Sequence, residues 1–368
     1  MSINRDFADL ARSSQPGKNM LINGAMRVSQ RGTSFTSYGA TDSEYGLDRW
    51  KIRSISSASA RWTASQESSG GVSGKDKWLK VLNTTADASP GVSETQWMIQ
   101  QIEGFNAIPV IATDASTKSM SVSLDIIAHA DGGSSISFPA KACVTIEMGQ
   151  GSTRSYLHDV TIAAADTWER VTFTAPADSF NGWVVGTEAN LGIGITLYGG
   201  SNRVGTEDTW AAIARDTVTS NTDNWADATN NYIGFTNVQV EVGSVATDFS
   251  YEDYGTTLNK ALRYFEKQEF VVNTFGAVGF SNTTTSHQMV LQFTEKRATG
   301  PTIAVSTASQ WEVNRSGTDQ QCTALAGSSA SKVGMTLIAT VSSGLTTGEA
   351  AVIRSNNSGN YITISSEL

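Results

Sequence analysis

Few residues in this chain have the types and spacings that catalysis or metal binding requires. The three histidines, His129, His158 and His287, do not occur in an HExxH, HxxxH or Cys/His arrangement, so no zinc site is predicted. His158 is followed by Asp159, but neighbours on a strand point to opposite faces, which argues against a working pair. The sequence contains neither a GxSxG nucleophile elbow nor a P-loop.

Carboxylates are more numerous, and four of them fall on predicted strands: Asp125, Glu147, Glu169 and Glu241. A glycosidase needs two carboxyl groups that face each other about 5 to 10 Å apart. Sequence spacing pairs none of these residues, and solvated outward positions account for all four. We therefore predict no catalytic residues and a protein that is not an enzyme.

Three acidic residues before Trp50 are the calcium candidates of the chain. Asp42, Glu44 and Asp48 carry the oxygen ligands that calcium prefers, and they lie close together in sequence. Their spacing does not match an EF-hand, and acidic residues of this kind are common in turns. Turn formation is the favoured interpretation, so no cofactor is predicted.

Aromatic residues offer a different chemistry, because sugars stack their C–H faces on tryptophan and tyrosine rings. The segment 199–231 is long, polar and loop-like, and long loops in compact domains are often functional. We therefore predict that Trp210, Trp225 and Tyr198 contact a glycan or a protein partner. Other tryptophans fall in apolar, strand-like surroundings and are predicted to be core residues: Trp50, Trp97 and Trp168.

Short alternating patterns indicate the elements that must position these residues. Apolar residues alternate with polar ones or glycine from Met120 to Ile126, from Leu191 to Leu197 and from Val238 to Val242. Turns rich in Gly, Asp, Asn and Ser separate such segments. The pattern predicts an all-β protein with a β-sandwich or jelly roll.

A break in this pattern predicts a helical connector. Gly243 ends the last alternating strand, and Thr256 could cap a helix in which Leu258, Leu262 and Phe265 follow i, i+4, i+7 spacing. The residues after Phe270 again have strand-like patterns. The chain is therefore predicted to continue into a second, smaller β-domain.

The first residues predict a short helix of their own. Ile3, Phe7 and Leu10 have the 4-then-3 spacing of a coiled-coil seam. Because so short a helix is marginal alone, we expect it to attach the chain to other proteins or to further copies. A frayed tail is the alternative.

The composition of the chain limits the classes of partner that we expect. The formal net charge is −9 and there is no Lys/Arg cluster, so neither nucleic acid nor an anionic membrane is an expected partner. We find no signal peptide and no run of about 18 apolar residues, and therefore expect cytoplasmic synthesis without membrane insertion. Cys143 and Cys322 are expected to be buried and free rather than bridged.

Several segments resemble bacteriophage tail-fibre and tail-tip proteins. The opening block resembles a family segment of the form INGNFxxWQRGTSF, although Met26 and Ser29 replace the usual Phe and Trp. Later segments match a DRW turn, a VQLEVGS-type strand and an RYYEK-like helix. The matching segments, which are spread over residues 18–267, are Asn19–Ser37, Tyr45–Ile52, Trp97–Gly104, Lys118–Ile126, Asp166–Pro176, Val238–Ser244 and Arg263–Lys267.

The resemblance implies a jelly roll of the carbohydrate-binding-module type. We expect an attachment segment (1–17), a jelly-roll domain (18–252), a connector helix (253–269) and a C-terminal β-domain (270–368). The predicted function is a homotrimeric virion protein, a tail fibre or tail-tip adhesin that binds host cell-surface glycan without catalysis. The alternatives are a purely structural virion component, such as a head-decorating or fibre-supporting protein, and a glycan-degrading tail spike.

Overall fold

A computed structural model describes residues 18–68, 75–149, 153–212, 216–315 and 318–368. The predicted attachment segment, with Ile3, Phe7 and Leu10, lies outside these residues. The chain divides into two compact units, one ending at Thr257 and the other running from Leu258 to Glu367. No helix among the described residues is long and apolar enough to cross a membrane.

The first unit is built from antiparallel strands. In chain order they are β1 (Ser34–Tyr38), β2 (Ser43–Tyr45), β3 (Lys51–Ile55), β4 (Arg61–Ser68), β5 (Lys77–Thr85), β6 (Thr95–Glu103), β7 (Ile111–Thr113), β8 (Ser116–Thr117), β9 (Met120–His129), β10 (Ala140–Met148), β11 (Arg154–Ile162), β12 (Glu169–Ala175), β13 (Ala189–Gly199) and β14 (Tyr232–Val242). A short helix, α1 (Gly104–Ala107), and two 3₁₀ turns, Ile108–Val110 and Ser201–Arg203, interrupt them.

Twelve of these strands form two six-stranded sheets. The first sheet has the order β1-β4-β5-β14-β9-β12, and the second has the order β11-β10-β13-β6-β3-β2. Alternation places Leu124 and Val240 in the core between the sheets, together with Ile146 and Ile195 from the second sheet. The prediction of an all-β fold with a sandwich of jelly-roll type is confirmed.

The second unit begins within a helix, α2 (Tyr254–Leu262), and is otherwise β-structure. Its strands are β15 (Phe265–Phe270), β16 (Phe275–Ser281), β17 (Ser286–Gln292), β18 (Thr302–Val305), β19 (Trp311–Arg315), β20 (Thr318–Ser328), β21 (Gly334–Val341), β22 (Ala350–Ser355) and β23 (Asn360–Ser365), with a 3₁₀ turn at Ala308–Gln310. Six strands close a barrel in the order β16-β17-β21-β20-β19-β22, and β15-β23-β18 form a separate sheet.

The connector helix differs from its prediction at both ends. Asp253, not Thr256, caps α2, since its Oδ1 accepts the Thr256 backbone N–H at 2.9 Å and its backbone oxygen accepts the Thr257 N–H at 3.1 Å. The helix ends at Leu262, and Phe265 begins strand β15, which pairs with β23. An apolar residue at position i+7 is compatible with a strand as well as with a helix, so the spacing alone did not show that Phe265 belongs to a strand.

Candidate functional site

A cluster of aromatic rings occupies one end of the outward surface of the first sheet. We call Trp78, Trp168, Tyr232 and His129 the aromatic face; all four side chains are half-buried. The ring centroids of Trp78 and Trp168 are 5.4 Å apart and their planes are perpendicular, at 89°. Tyr232 lies 6.4 Å from Trp78 and is stacked on His129 at 5.5 Å. The rings thus form one continuous aromatic surface.

Strand alternation turns these rings outward. On β5, Leu79 and Val81 are fully buried in the core, so Trp78 and Lys80 point away from it. Gly234 on β14 provides the close approach that Trp78 needs. A Cβ at that position would lie 2.4 Å from the Trp78 ring, so any larger residue would displace the indole.

Polar groups fix the aromatic face at its Tyr232 end. Asp166 accepts a hydrogen bond from the Tyr232 hydroxyl at 2.6 Å, and its other oxygen lies 2.9 Å from His129 Nδ1. The Lys80 ammonium lies over the Tyr232 ring, 4.4 Å from its centroid. Partial desolvation acts to raise the pKa of Asp166, but the hydrogen bonds from Tyr232 and His129 and nearby positive charge outweigh it and lower this pKa.

A loop covers the adjacent part of the same surface. Glu241 accepts the backbone N–H of Thr247 at 2.7 Å, and Gln239 accepts that of Ser250 at 2.9 Å. Gln239 also donates to the Asp248 backbone oxygen at 3.2 Å. These outward polar side chains are therefore buried beneath residues 247–250, while the aromatic face beyond them retains exposure.

The four candidate carboxylates are spread over both sheets, and three of them are hydrogen-bonded within the fold. Asp125 accepts from Asn237 at 2.7 Å, Glu241 is held by the loop, and Glu147 lies on the other sheet. Glu169 accepts the Ala163 backbone N–H at 2.7 Å. Each has a local structural partner or lies on a different surface.

Two predicted binding residues are core residues, which corrects that prediction. Trp225 and Tyr198 are 0% and 1% exposed and belong to the sandwich core. The Trp225 indole donates to the Lys141 backbone oxygen at 3.1 Å. Its polar neighbours misled the sequence interpretation because they form hydrogen bonds within the fold: buried Asn231, for example, donates to half-buried Asp227 at 2.7 Å.

Trp210 is half-buried at a different place, in the segment that forms backbone bridges to the edge strand β11. Its indole donates to the Pro176 backbone oxygen at 2.8 Å, and its ring lies 5.1 Å from that of Tyr156. Of the core predictions, Trp50 and Trp97 are confirmed at 0% exposure. The prediction for Trp168 is wrong, since its ring faces outward.

The same edge holds the one group of three metal-capable side chains found among the described residues. Ligand atoms of His158, Glu207 and Asp208 lie within 4.8 Å of one another. However, His158 Nδ1 and Asp208 Oδ1 are hydrogen-bonded at 2.7 Å, and the Tyr156 hydroxyl donates to the same oxygen at 3.0 Å. A hydrogen-bonded network accounts for this arrangement without an ion.

The calcium candidates do not form a ligand set. Asp48 is buried and accepts the Gln30 backbone N–H at 2.9 Å, whereas Glu44 accepts the backbone N–H groups of Gly39 and Thr41 at 3.1 and 2.6 Å. Asp42 is exposed. The carboxylates stabilise turns of the chain, so the residues present do not fit a calcium site.

Trp78, Tyr232, His129 and Asp166 are not among the residues predicted from the sequence to bind a ligand. A signal for Trp78 exists in the segment KWLKVL, where apolar Leu79 and Val81 alternate with Trp78 and Lys80. On a strand with one buried face, a tryptophan two residues from a lysine lies on the same side of the sheet as that lysine and is expected to face outward. The partners from β9 and β14 become neighbours only through sheet pairing.

No family model matches this chain, and no curated protein matches it. Solved structures with some similarity include the CBM22-1 xylan-binding domain of Paenibacillus barcinonensis Xyn10C, at 11% identity and a TM-score of 0.29, covering 63% of this chain and 99% of that one. Another is the tripod of the bacteriophage Tuc2009 baseplate, at 11% identity and a TM-score of 0.26, covering 76% and 85%. These scores are too low to support an assignment.

Proposed function

We propose that this protein is a non-catalytic bacteriophage virion component, a tail-fibre or tail-tip adhesin, and that the aromatic face binds host cell-surface glycan. The observation that carries the proposal is the outward cluster of Trp78, Trp168, Tyr232 and His129. Half-buried indoles on a sheet combine a rigid apolar surface with polar N–H groups. The motif resemblance to phage fibres supports the virion assignment.

The geometry suits a saccharide better than a flat apolar ligand. The perpendicular rings of Trp78 and Trp168 form a corner in which the C–H face of a sugar can lie against an indole. Sugar hydroxyls require hydrogen-bonding partners when they are desolvated. Asp166 and Lys80 provide an acceptor and a donor at the Tyr232 end of the same surface.

Weak binding at one such site is compatible with adhesion. An open surface of a few rings is expected to give a Kd on the order of 1 mM, which corresponds to about −4 kcal/mol. Several copies on one particle can increase avidity by ~10²- to 10⁴-fold without further contacts. We assign attachment and oligomerisation, including the homotrimer, to residues 1–17 with Ile3, Phe7 and Leu10.

Substitution of the two indoles tests the proposal. Trp168→Ala and Trp78→Ala should each weaken binding to a host surface polysaccharide, or to its best ligand on a glycan array, by about 30-fold (~2 kcal/mol). Trp210→Ala is the matched control, because Trp210 is also half-buried but lies away from the aromatic face. Thermal melting confirms that each variant is folded.

The outcomes separate the alternatives. Unchanged binding by both folded variants would rule out the aromatic face, and a selective loss in Trp210→Ala would move the site to the edge beside β11. Loss of polysaccharide viscosity on incubation with the purified protein would instead indicate a glycan-degrading spike. Incorporation into particles together with normal adsorption by particles lacking the protein would indicate a purely structural component.

A further inference from the structure

The barrel of the second unit exposes a concentrated group of large apolar side chains. Phe275, Val278, Phe280 and Val290 are 60%, 66%, 52% and 65% exposed. All four lie on β16 and β17, which are adjacent in the barrel. Isolated exposed apolar residues are ordinary, but a contiguous patch usually marks an interaction surface.

Sheet register joins these residues into one surface, which we call the barrel face. Val278 is opposite Val352 on β22, and Phe280 is opposite Ala350. On its other side, β16 pairs with β17, and Gly279 is opposite Met289. One step further along this antiparallel register, Val278 is opposite Val290. Val290 is in turn opposite Thr336 of β21. The outward positions thus run across four neighbouring strands.

The barrel face is poor in charge. The sequences of β16, β17 and β21, FGAVGFS, SHQMVLQ and GMTLIATV, contain no Asp, Glu, Lys or Arg. The one charged residue on its four strands is Arg354 of β22, which lies opposite Phe275 and donates a hydrogen bond to Glu312 at 2.6 Å. Depletion of charge with retention of aromatic and aliphatic residues is the composition of the centre of a protein–protein interface.

We propose that the barrel face is a self-association surface that contacts the same face of another copy of this chain. Copies that each carry a charge of −9 repel one another. Contact therefore costs least where it brings few like charges together, which favours the barrel face, whose single Arg354 is paired with Glu312. Valine and phenylalanine side chains offer no hydrogen bonds to sugar hydroxyls, so this surface differs from the aromatic face.

The size of the face predicts how strong the contact is. Four strands spaced about 4.8 Å apart and about 24 Å long give a projected area of roughly 450 Å² per copy. Two copies would bury roughly 900 Å², near the lower limit of about 1,000 to 1,200 Å² for specific interfaces. We therefore expect association in the micromolar range.

Sedimentation velocity of the full chain from about 1 to 100 µM tests the proposal. The unaltered protein should form species larger than the trimer assigned to residues 1–17 across this range, while V278D/V290D should return to the trimer at least ~10-fold more readily. V245D is the control, because Val245 is 69% exposed and belongs to the first unit, not to the barrel. It should assemble as the unaltered protein does.

Charge reversal distinguishes contact from damage. V278K/V290K should also dissociate, and an equimolar mixture of the lysine and aspartate variants should associate again, because opposite charges then meet. The proposal would be overturned if the unaltered protein forms no species larger than the trimer at 100 µM, if V278D/V290D assembles normally, or if the mixture shows no recovery. Glycan binding per site should be unchanged in V278D/V290D, so this test is independent of the proposed adhesin function.

Discussion

The outward surfaces of the two units differ in the kind of ring that they expose. The aromatic face of the sandwich presents Trp, Tyr and His rings; the Tyr232 hydroxyl and His129 Nδ1 are hydrogen-bonded to Asp166, and the Lys80 ammonium lies over Tyr232. The barrel face presents Phe275 and Phe280 among valines, with no polar group on the rings. The first surface can satisfy a hydrated, hydroxyl-rich ligand, whereas the second is suited to a dry contact.

The cores of the two units differ less than their outward surfaces do. Each core contains fully buried tryptophan, Trp225 in the sandwich and Trp311 in the barrel, with their indole N–H groups bonded to Lys141 O at 3.1 Å and Ser306 Oγ at 3.0 Å. Tryptophan content therefore says little about function. Position relative to the sheet decides whether a ring stabilises the fold or contacts a ligand.

The largest expected effect separates core rings from surface rings. Trp225→Ala should lower the free energy of unfolding of the sandwich by about 3 to 5 kcal/mol, because it leaves a cavity in the core. Trp168→Ala should cost far less stability while losing glycan binding. Denaturant unfolding of both variants checks this, and equal stability losses would remove the distinction between core and face.

Charge inside the second unit gives the next prediction. Lys296 is 0% exposed, and its ammonium is 2.8 Å from a Glu266 oxygen. Lys296→Ala should destabilise this unit by about 3 to 5 kcal/mol, since it leaves a carboxylate without its partner. The partly exposed Lys267, which pairs with exposed Glu269, is the matched control, and Lys267→Ala should cost no more than about 1 kcal/mol.

The same pair predicts the acid sensitivity of the second unit. Desolvation acts to raise the pKa of Glu266, but hydrogen bonds from Gln268 and Lys296 and the Lys296 charge outweigh it and lower this pKa. Because the pKa of Glu266 is lowered in the folded state, its ionised form stabilises the fold at pH values above its unfolded-state pKa. This stabilisation is lost as the pH falls through the folded-state pKa. Glu266→Gln should flatten the acid limb of stability against pH; an unchanged slope would contradict the assignment.

Gly234 allows a smaller and more local test of the aromatic face. Gly234→Ala should displace Trp78, cost about 1 to 3 kcal/mol of stability and weaken glycan binding. Gly132→Ala is the control, because a Cβ there meets nothing within 4 Å. Intrinsic tryptophan fluorescence should report the displacement, and an unchanged spectrum with unchanged binding would argue against the role of Trp78.

The smallest effect concerns the thiols, one in each unit. Cys143 and Cys322 are free and buried, and burial raises the pKa of Cys322 to about 12 and that of Cys143 further. Both should react slowly with a thiol reagent in the native protein. Two groups should titrate per chain after denaturation without reductant, and a value near zero would indicate a bridge.

Alternation made much of the fold predictable. The segments containing Leu124, Ile195 and Val240 are strands with their apolar residues in the core, because a sheet with one buried face imposes a period of two. The helix near Leu258 was also predicted, but its cap and its end were not. Asp253 and Thr256 both suit a cap, and only the backbone geometry distinguishes them.

The site was less predictable, because outward and inward rings look alike in a polar segment. Trp225 lies among Asn224, Asp227 and Asn231, which a sequence interpretation takes as a sign of exposure. In the structure Asn231 and Asp227 are hydrogen-bonded to each other, and they help to fix the segment over the ring. The polar residues around Trp225 therefore indicate hydrogen bonding within the fold rather than contact with solvent.

The sequence by itself determined the all-β class, the alternation of the strands that contain Leu124, Ile195 and Val240, and the absence of charge on β16, β17 and β21, since these depend only on residue order. Tertiary structure decided which residues became neighbours. Trp78, His129, Trp168 and Tyr232 come from distant segments, and pairing of β9, β14, β5 and β12 in one sheet brings their rings together. Strand order is set by the packing of the whole unit, which no local pattern encodes.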